Sequence, residues 1–165
     1  MEAGPNEKIN KDSENKKALS AASRLLKFRP RSEQEIAERL AQKEFSRAAI
    51  AVTISYLKKH VFIDDDAFSQ AWIASRLKKP YGEYRIRLEL KQKGIADNLI
   101  AKNLSAAFKD YDEHTAVFDI ARRRLEHYYD SDNQSLRRKL YGYLNRRGFN
   151  QRTIIQTINK LLNES

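Results

Sequence analysis

The 165-residue chain has no cysteine, a single methionine, a single tryptophan, five glycines and three prolines. Without cysteine there can be no disulfide, no thiolate nucleophile and no Cys-ligated zinc. No apolar run approaches the roughly 18 residues that a bilayer-spanning helix needs, and the N-terminus has no apolar stretch of signal-peptide type. A reducing, cytoplasmic setting without a membrane partner is therefore expected. The glycines stand singly at Gly4, Gly82, Gly94, Gly142 and Gly148, so no glycine-rich phosphate cradle exists and no nucleotide cofactor is expected. So little turn chemistry also argues against a many-stranded sheet and for helices joined by short turns.

What the sequence does have is charge of one sign. Lysine and arginine number 32 against 22 acidic residues, a formal net charge of +10. Residues 1–17 are electrically neutral and show no apolar periodicity, which predicts a flexible tail and assigns the whole excess to residues 18–165.

Internal repetition decides the expected architecture. The segment from Ile36 to Phe45 superposes on Ile86 to Ile95 with a shift of 50, and a further shift of 54 reaches Leu140 to Phe149. Downstream, Ile50, Ile100 and Ile154 correspond, as do Ile54, Leu104 and Ile158. Another helical pattern precedes each copy, so each unit reads as three helices. The expectation is an all-α protein of three tandem three-helix repeats, over residues 18–62, 63–109 and 110–165. Together they make about nine helices in an elongated, curved array of right-handed type.

Within a unit, Ile86 and Leu90 stack on one helix face, Gly94 follows as a left-handed C-cap, and Ile95 makes the apolar contact beyond it. Gly148 and Phe149 repeat this arrangement. Glu44 stands in the glycine's place in the first unit, predicting a cap poorer by up to about 1 kcal/mol. Trp72, four residues after Phe68, is assigned to the core.

Catalytic constellations are sparse. His60, His114 and His127 have no mutual helical spacing, and Asp64-Asp65-Asp66 precedes an amphipathic helix, where carboxylates cap N–H groups rather than gather a metal. No catalytic, cofactor-binding or metal site is assigned, and the chain is not expected to be an enzyme. The basic residues offer the candidates: Arg76, Lys78 and Lys79; Arg85, Arg87, Lys91 and Lys93; Arg122, Arg123 and Arg124; Arg137, Arg138 and Lys139; Arg146 and Arg147. Units 18–62, 63–109 and 110–165 carry +5, +3 and +2. Such clusters attract a polyanion, and Tyr81 and Tyr84 could stack on bases at about 1–3 kcal/mol each. Partner steering or solubility is the alternative use of the same charge.

Several fragments in their order resemble the RecX family of recombinase regulators. They are Arg31 to Ile36 with Leu40, Ile63 to Phe68 with Ala71-Trp72, Tyr81-Gly82 with Arg85-Ile86, Leu90 to Ile95, and Leu144 to Phe149. The resemblance covers residues 18–165, departing at Glu44 and at Phe28-Arg29-Pro30. It implies a monomeric, non-enzymatic modulator lying in the groove of the RecA–single-stranded DNA filament. There it would inhibit ATP hydrolysis, strand exchange and coprotease activity, and so modulate recombination, DNA repair and the SOS response. Contact with single-stranded DNA would be weak and salt-sensitive. A sequence-independent DNA-binding helical module and a protein-only helical-repeat adaptor are the alternatives.

Overall fold

The computed structural model of the protein describes residues 5–128 and 132–163. Among these residues there are nine helices: α1 (Pro5–Phe28), α2 (Glu33–Ala41), α3 (Arg47–Lys59), α4 (Asp65–Leu77), α5 (Glu83–Gln92), α6 (Asp97–Phe108), α7 (Glu113–Leu125), α8 (Asn133–Arg146) and α9 (Gln151–Asn163). They fall into three sets of three. In the first set α1 packs on α2 and α3, and α2 on α3. In the last, α7 packs on α8 and α9, and α8 on α9.

The repeat predicted from apolar spacing is also a repeat of burial. Ile36, Ile86 and Leu140 are buried, as are Leu40, Leu90 and Leu144, and the third-helix residues Ile54, Leu104 and Ile158. Helix ends are closed by local polar groups. Ser32 and Glu35 form a reciprocal capping box at α2, and Asp64 Oδ1 accepts from the N–H groups of Asp66 and Ala67 at α4. The aspartate triplet is thus a cap. Asp65 goes further, accepting from Glu33 N at 2.9 Å and so serving the first turn of α2.

At the ends of α2, α5 and α8 the equivalent residues Glu44, Gly94 and Gly148 all have positive φ, at 64°, 74° and 77°. Glu44 therefore accepts the left-handed conformation that the other two repeats give to glycine. Val61 also has a positive φ of 56°, which the sequence did not foretell. There Phe62 N donates to Leu57 O and closes α3, at the cost of strain in a β-branched residue.

One difference from expectation concerns the N-terminus. Residues 5–17, read as tail, continue the helix α1; residues 1–4 lie outside the described residues. The anchoring is polar. The Glu14 carboxylate accepts from Ser46 N at 2.8 Å and Ser46 Oγ at 2.9 Å, at the start of α3. Hydrophobic patterning carries no signal for such a contact.

The chain divides into two compact units. One takes the residues up to Ser69 together with Lys93–Ala96; the other takes Gln70–Gln92 and the residues from Asp97 onward. The core of the first is built on Ile36, Leu40, Ile54 and Leu57. That of the second has Val117, Leu140, Leu144, Ile154 and Ile158 at its centre.

The same joint occurs once in each unit. In the first, the fully buried Ser32 donates through Oγ to Lys93 O at 2.6 Å, and a Cβ at Gly94 would fall 1.9 Å from Gln34 Oε1. In the second, Gly82 N donates to Arg147 O at 2.9 Å and Tyr84 N to Gly148 O at 3.2 Å. A Cβ at Gly148 would lie 2.3 Å from the backbone nitrogen of Arg85. In both, the left-handed turn ending one repeat's second helix seats on the start of the preceding repeat's second helix.

Candidate binding surface

Glutamate 89 organises the basic residues of the second unit. It is buried on α5 and accepts from Trp72 Nε1 at 3.0 Å, Arg76 Nε at 2.6 Å and Arg85 Nε at 2.9 Å. Burial pushes its carboxyl up, but the hydrogen bonds from Arg85 and Arg76 outweigh that and hold it below the usual range. Trp72 is only half-buried; its indole forms part of this polar cluster rather than a closed core.

From this cluster runs a line of alternating cations and rings. The Arg76 guanidinium stands 4.2 Å from the centroid of Trp72 and 5.6 Å from that of Tyr81. Arg147 lies 5.2 Å from Tyr81 and 4.9 Å from Tyr143. Arg124 follows at 5.0 Å from Tyr143 and 5.2 Å from Tyr128, with Lys139 at 5.2 Å from Tyr128. Each contact is a cation–π interaction of about 0.5–1 kcal/mol where exposed and more where desolvated. Collectively they hold the guanidinium groups in fixed directions. Arg147 is held further by donating from Nη1 to Lys79 O at 2.9 Å and Pro80 O at 3.1 Å.

Beside this ladder opens a cleft of about 470 Å³, lined by Lys79, Tyr81, Arg123, Arg124, Tyr143 and Arg147 among others, with no carboxylate in its walls. Four cations, Lys79, Arg123, Arg124 and Arg147, therefore converge on one concave surface. Such an arrangement attracts phosphates or carboxylates and offers ring edges to whatever carries them.

The remaining candidates divide by their partners. Lys78, Lys79, Arg122, Arg123 and Arg146 are exposed and make no ion pair with a described carboxylate. Arg137 and Arg138 are exposed on α8, where Lys139 also lies. By contrast Arg76 and Arg85 are bound to Glu89, Arg87 to Glu83 and Lys91 to Asp97. Lys93 belongs to the first unit, where it pairs with Glu35 at 3.0 Å with little exposure of either side chain. Tyr84 and Leu88 lie on the solvent-facing stripe of α5, as their spacing predicts. Tyr81 does not present a bare face, since both Arg76 and Arg147 approach its ring.

Sequence reasoning missed Glu89, Tyr128 and Tyr143 and gave Trp72 to the core. A signal was present: Trp72 and Arg76, Arg124 and Tyr128, and Tyr143 and Arg147 are each four apart, the spacing that places side chains together on a helix. Elsewhere, no group of three His, Asp or Glu side chains among the described residues could hold a metal ion. No helix among them is long and apolar enough to cross a membrane.

Comparison with known proteins agrees with this architecture. Residues 18–57 match the model of the first three-helix domain of RecX, and residues 64–104 that of the second. The chain is 38% identical over 151 residues to the regulatory protein RecX of Chlorobium phaeobacteroides strain BS1, covering 91% of this chain and 97% of that one. It is 34% identical over 152 residues to the regulatory protein RecX of Prosthecochloris aestuarii, covering 92% and 97%. The fold is similar to the crystal structure of RecX from Lactobacillus salivarius, with a TM-score of 0.77 at 20% identity over 91% of this chain and 97% of that one. With the repeated core, the left-handed turns and the sequence identity in agreement, the chain belongs to the RecX family of regulatory proteins.

Proposed function

We propose that this protein is a regulator that binds in the helical groove of the RecA–single-stranded DNA filament. There it inhibits RecA ATP hydrolysis, strand exchange and coprotease activity, as a monomer in the cytoplasm. The observation that carries this reading is the joint made twice in the same way, Ser32 to Lys93 and Gly82 to Arg147. It repeats a three-helix module with a regular contact, and the modules 18–62, 63–109 and 110–165 act as successive footholds. A helical polymer offers the same surface again at each subunit, so linked weak contacts add through effective concentration.

The basic cleft beside Tyr143 and Arg147 supports a supplementary contact with the bound single strand. Its cations favour weak, salt-sensitive attraction to phosphates without reading sequence. The role is regulatory rather than catalytic. The test is RecA-driven ATP hydrolysis on single-stranded DNA with substoichiometric protein added to pre-formed filaments. Turnover is expected to fall; unchanged turnover removes the reading. Tight, sequence-dependent binding to bare DNA would favour a direct DNA-binding module instead.

A further inference from the structure

The third repeat departs from its two counterparts at the residues that line one groove. Between α8 and α9 lies a groove of about 370 Å³ with Tyr141, Gly142, Ile155 and Ile158 in its walls and Arg137 and Arg138 among its lining residues. The same shifts of 54 and 50 that align the cores set Gly142 against Leu88 and Glu38, Ile155 against Ala101 and Ala51, and Arg137 against Glu83 and Glu33. All three differences act in one direction. A missing side chain opens the groove, an isoleucine makes it apolar, and a reversed charge makes its rim basic.

None of the three is explained by folding. Gly142 lies inside α8 and is not among the glycines with positive φ, so it carries the penalty of glycine in a helix without a conformational reason. A Cβ there would meet only the tip of Arg146, with Nη1 at 3.2 Å. Ile155 is 51% exposed, an apolar side chain left facing solvent beside the gap. The acidic counterparts of Arg137 are paired, Glu33 with Lys58 and Glu83 with Arg87. Arg137 instead donates to the neutral Asn159, and Arg138 to Ser135 Oγ at 3.3 Å. No described carboxylate neutralises either.

We infer that the α8–α9 groove binds a short segment of a partner protein in which a bulky apolar side chain is flanked by carboxylates. The apolar side chain fills the space over Gly142 against Tyr141, Ile155 and Ile158. The carboxylates pair with Arg137 and Arg138, and Arg146 reaches the same opening. Charge complementarity selects the acidic partner, and the apolar walls favour a protein side chain over a nucleic-acid backbone. None of the ladder residues is used, so this proposal stands apart from the filament reading.

The test is titration of the ¹⁵N-labelled full chain with an acetylated, amidated hexapeptide, Asp-Glu-Leu-Phe-Asp-Glu, at about 0.15 M salt. Saturable shifts are expected at the amides of Arg137, Arg138, Gly142 and Ile155. Gly142→Leu, which installs the residue of the second repeat, should weaken binding by about tenfold or more without lowering the melting temperature. The pair Arg137→Glu and Arg138→Glu should weaken it similarly. No shift at Gly142 and Ile155 up to millimolar peptide overturns the proposal, as does unaltered binding by Gly142→Leu. Equal affinity for the peptide with Leu-Phe replaced by Ala-Ala overturns it as well, since charge alone would then suffice. Stronger occupancy of the same amides by an oligothymidylate would assign the groove to nucleic acid.

Discussion

Ser32 Oγ donates to the carbonyl oxygen of Lys93 at 2.6 Å across 61 residues of sequence, and this bond fixes where the left-handed turn at Gly94 must lie. With Gln34 pressed against it, Gly94 has no room for a side chain. Gly148 is confined in the same way by the backbone of Arg85. Glu44, at the equivalent turn of the first repeat, is exposed. Glycine is kept where another segment closes on the turn and relinquished where φ alone is at issue.

The three positions should therefore respond differently to substitution. Gly148→Ala is expected to destabilise by about 2–4 kcal/mol, combining overpacking against backbone with the cost of a left-handed residue. Gly94→Ala should cost less, because part of what it meets is a flexible glutamine side chain. Glu44→Gly should stabilise by up to about 1 kcal/mol. Urea unfolding of the three variants checks the order, and equal losses at positions 94, 148 and 44 would contradict it.

Glu89→Gln keeps the shape of the side chain but removes the charge that Arg76 and Arg85 share. Stability should fall by about 2–3 kcal/mol, the scale of a hydrogen bond to a charged group left unmade. Trp72 is the sole tryptophan and donates to Glu89, so its emission should change in the folded variant. Unaltered emission and unaltered unfolding together would show that the cluster contributes nothing.

Acid sensitivity should centre on Glu35. Burial raises its pKa, but hydrogen bonds from Arg29, Lys93 and the Ser32 N–H overcome this and bring it from 4.5 to about 2. A carboxyl depressed on folding adds stability that is fully present above its unfolded value and is lost as pH falls from about 4.5 toward 2. Glu35→Gln should lower stability at neutral pH by about 1–3 kcal/mol and flatten the pH dependence in that window. Unfolding measured from pH 7 to pH 2 tests both halves of the statement.

The exposed cations that make no ion pair with a described carboxylate should matter for binding, and the paired ones for folding. Reversing Lys79, Arg122 and Arg123 together is expected to weaken filament binding by about tenfold or more and to reduce its salt dependence, with melting unchanged. Reversing Arg85 instead sets a carboxylate against Glu89, so melting should fall. Fluorescence anisotropy on labelled filaments, beside thermal unfolding of the same variants, separates the two groups.

The equivalence of Ile36, Ile86 and Leu140, the helical character of the chain, the cap at Asp64 and the positive φ at Gly94 were all legible in the sequence. Each depends on residues within one or two helical turns. The binding surface was legible only in outline. Clusters such as Arg122 to Arg124 were evident, but a charge written in a sequence does not reveal which carboxylate will stand beside it. The four-residue spacing sets Glu89 beside Arg85, but nothing local says that it will also take the charge of Arg76 from α4.

By itself, then, the sequence determined the periodic features: three repeats, their apolar stripes, their turns and the basic excess. It did so because side chains three or four apart on a helix share a face whatever else the chain does. Tertiary structure decided what joins residues far apart, including Ser32 with Lys93, Gly82 with Arg147, and Glu14 with Ser46. Those pairings depend on how packed helices bring distant backbone and polar groups within hydrogen-bonding distance, and no local period encodes that distance.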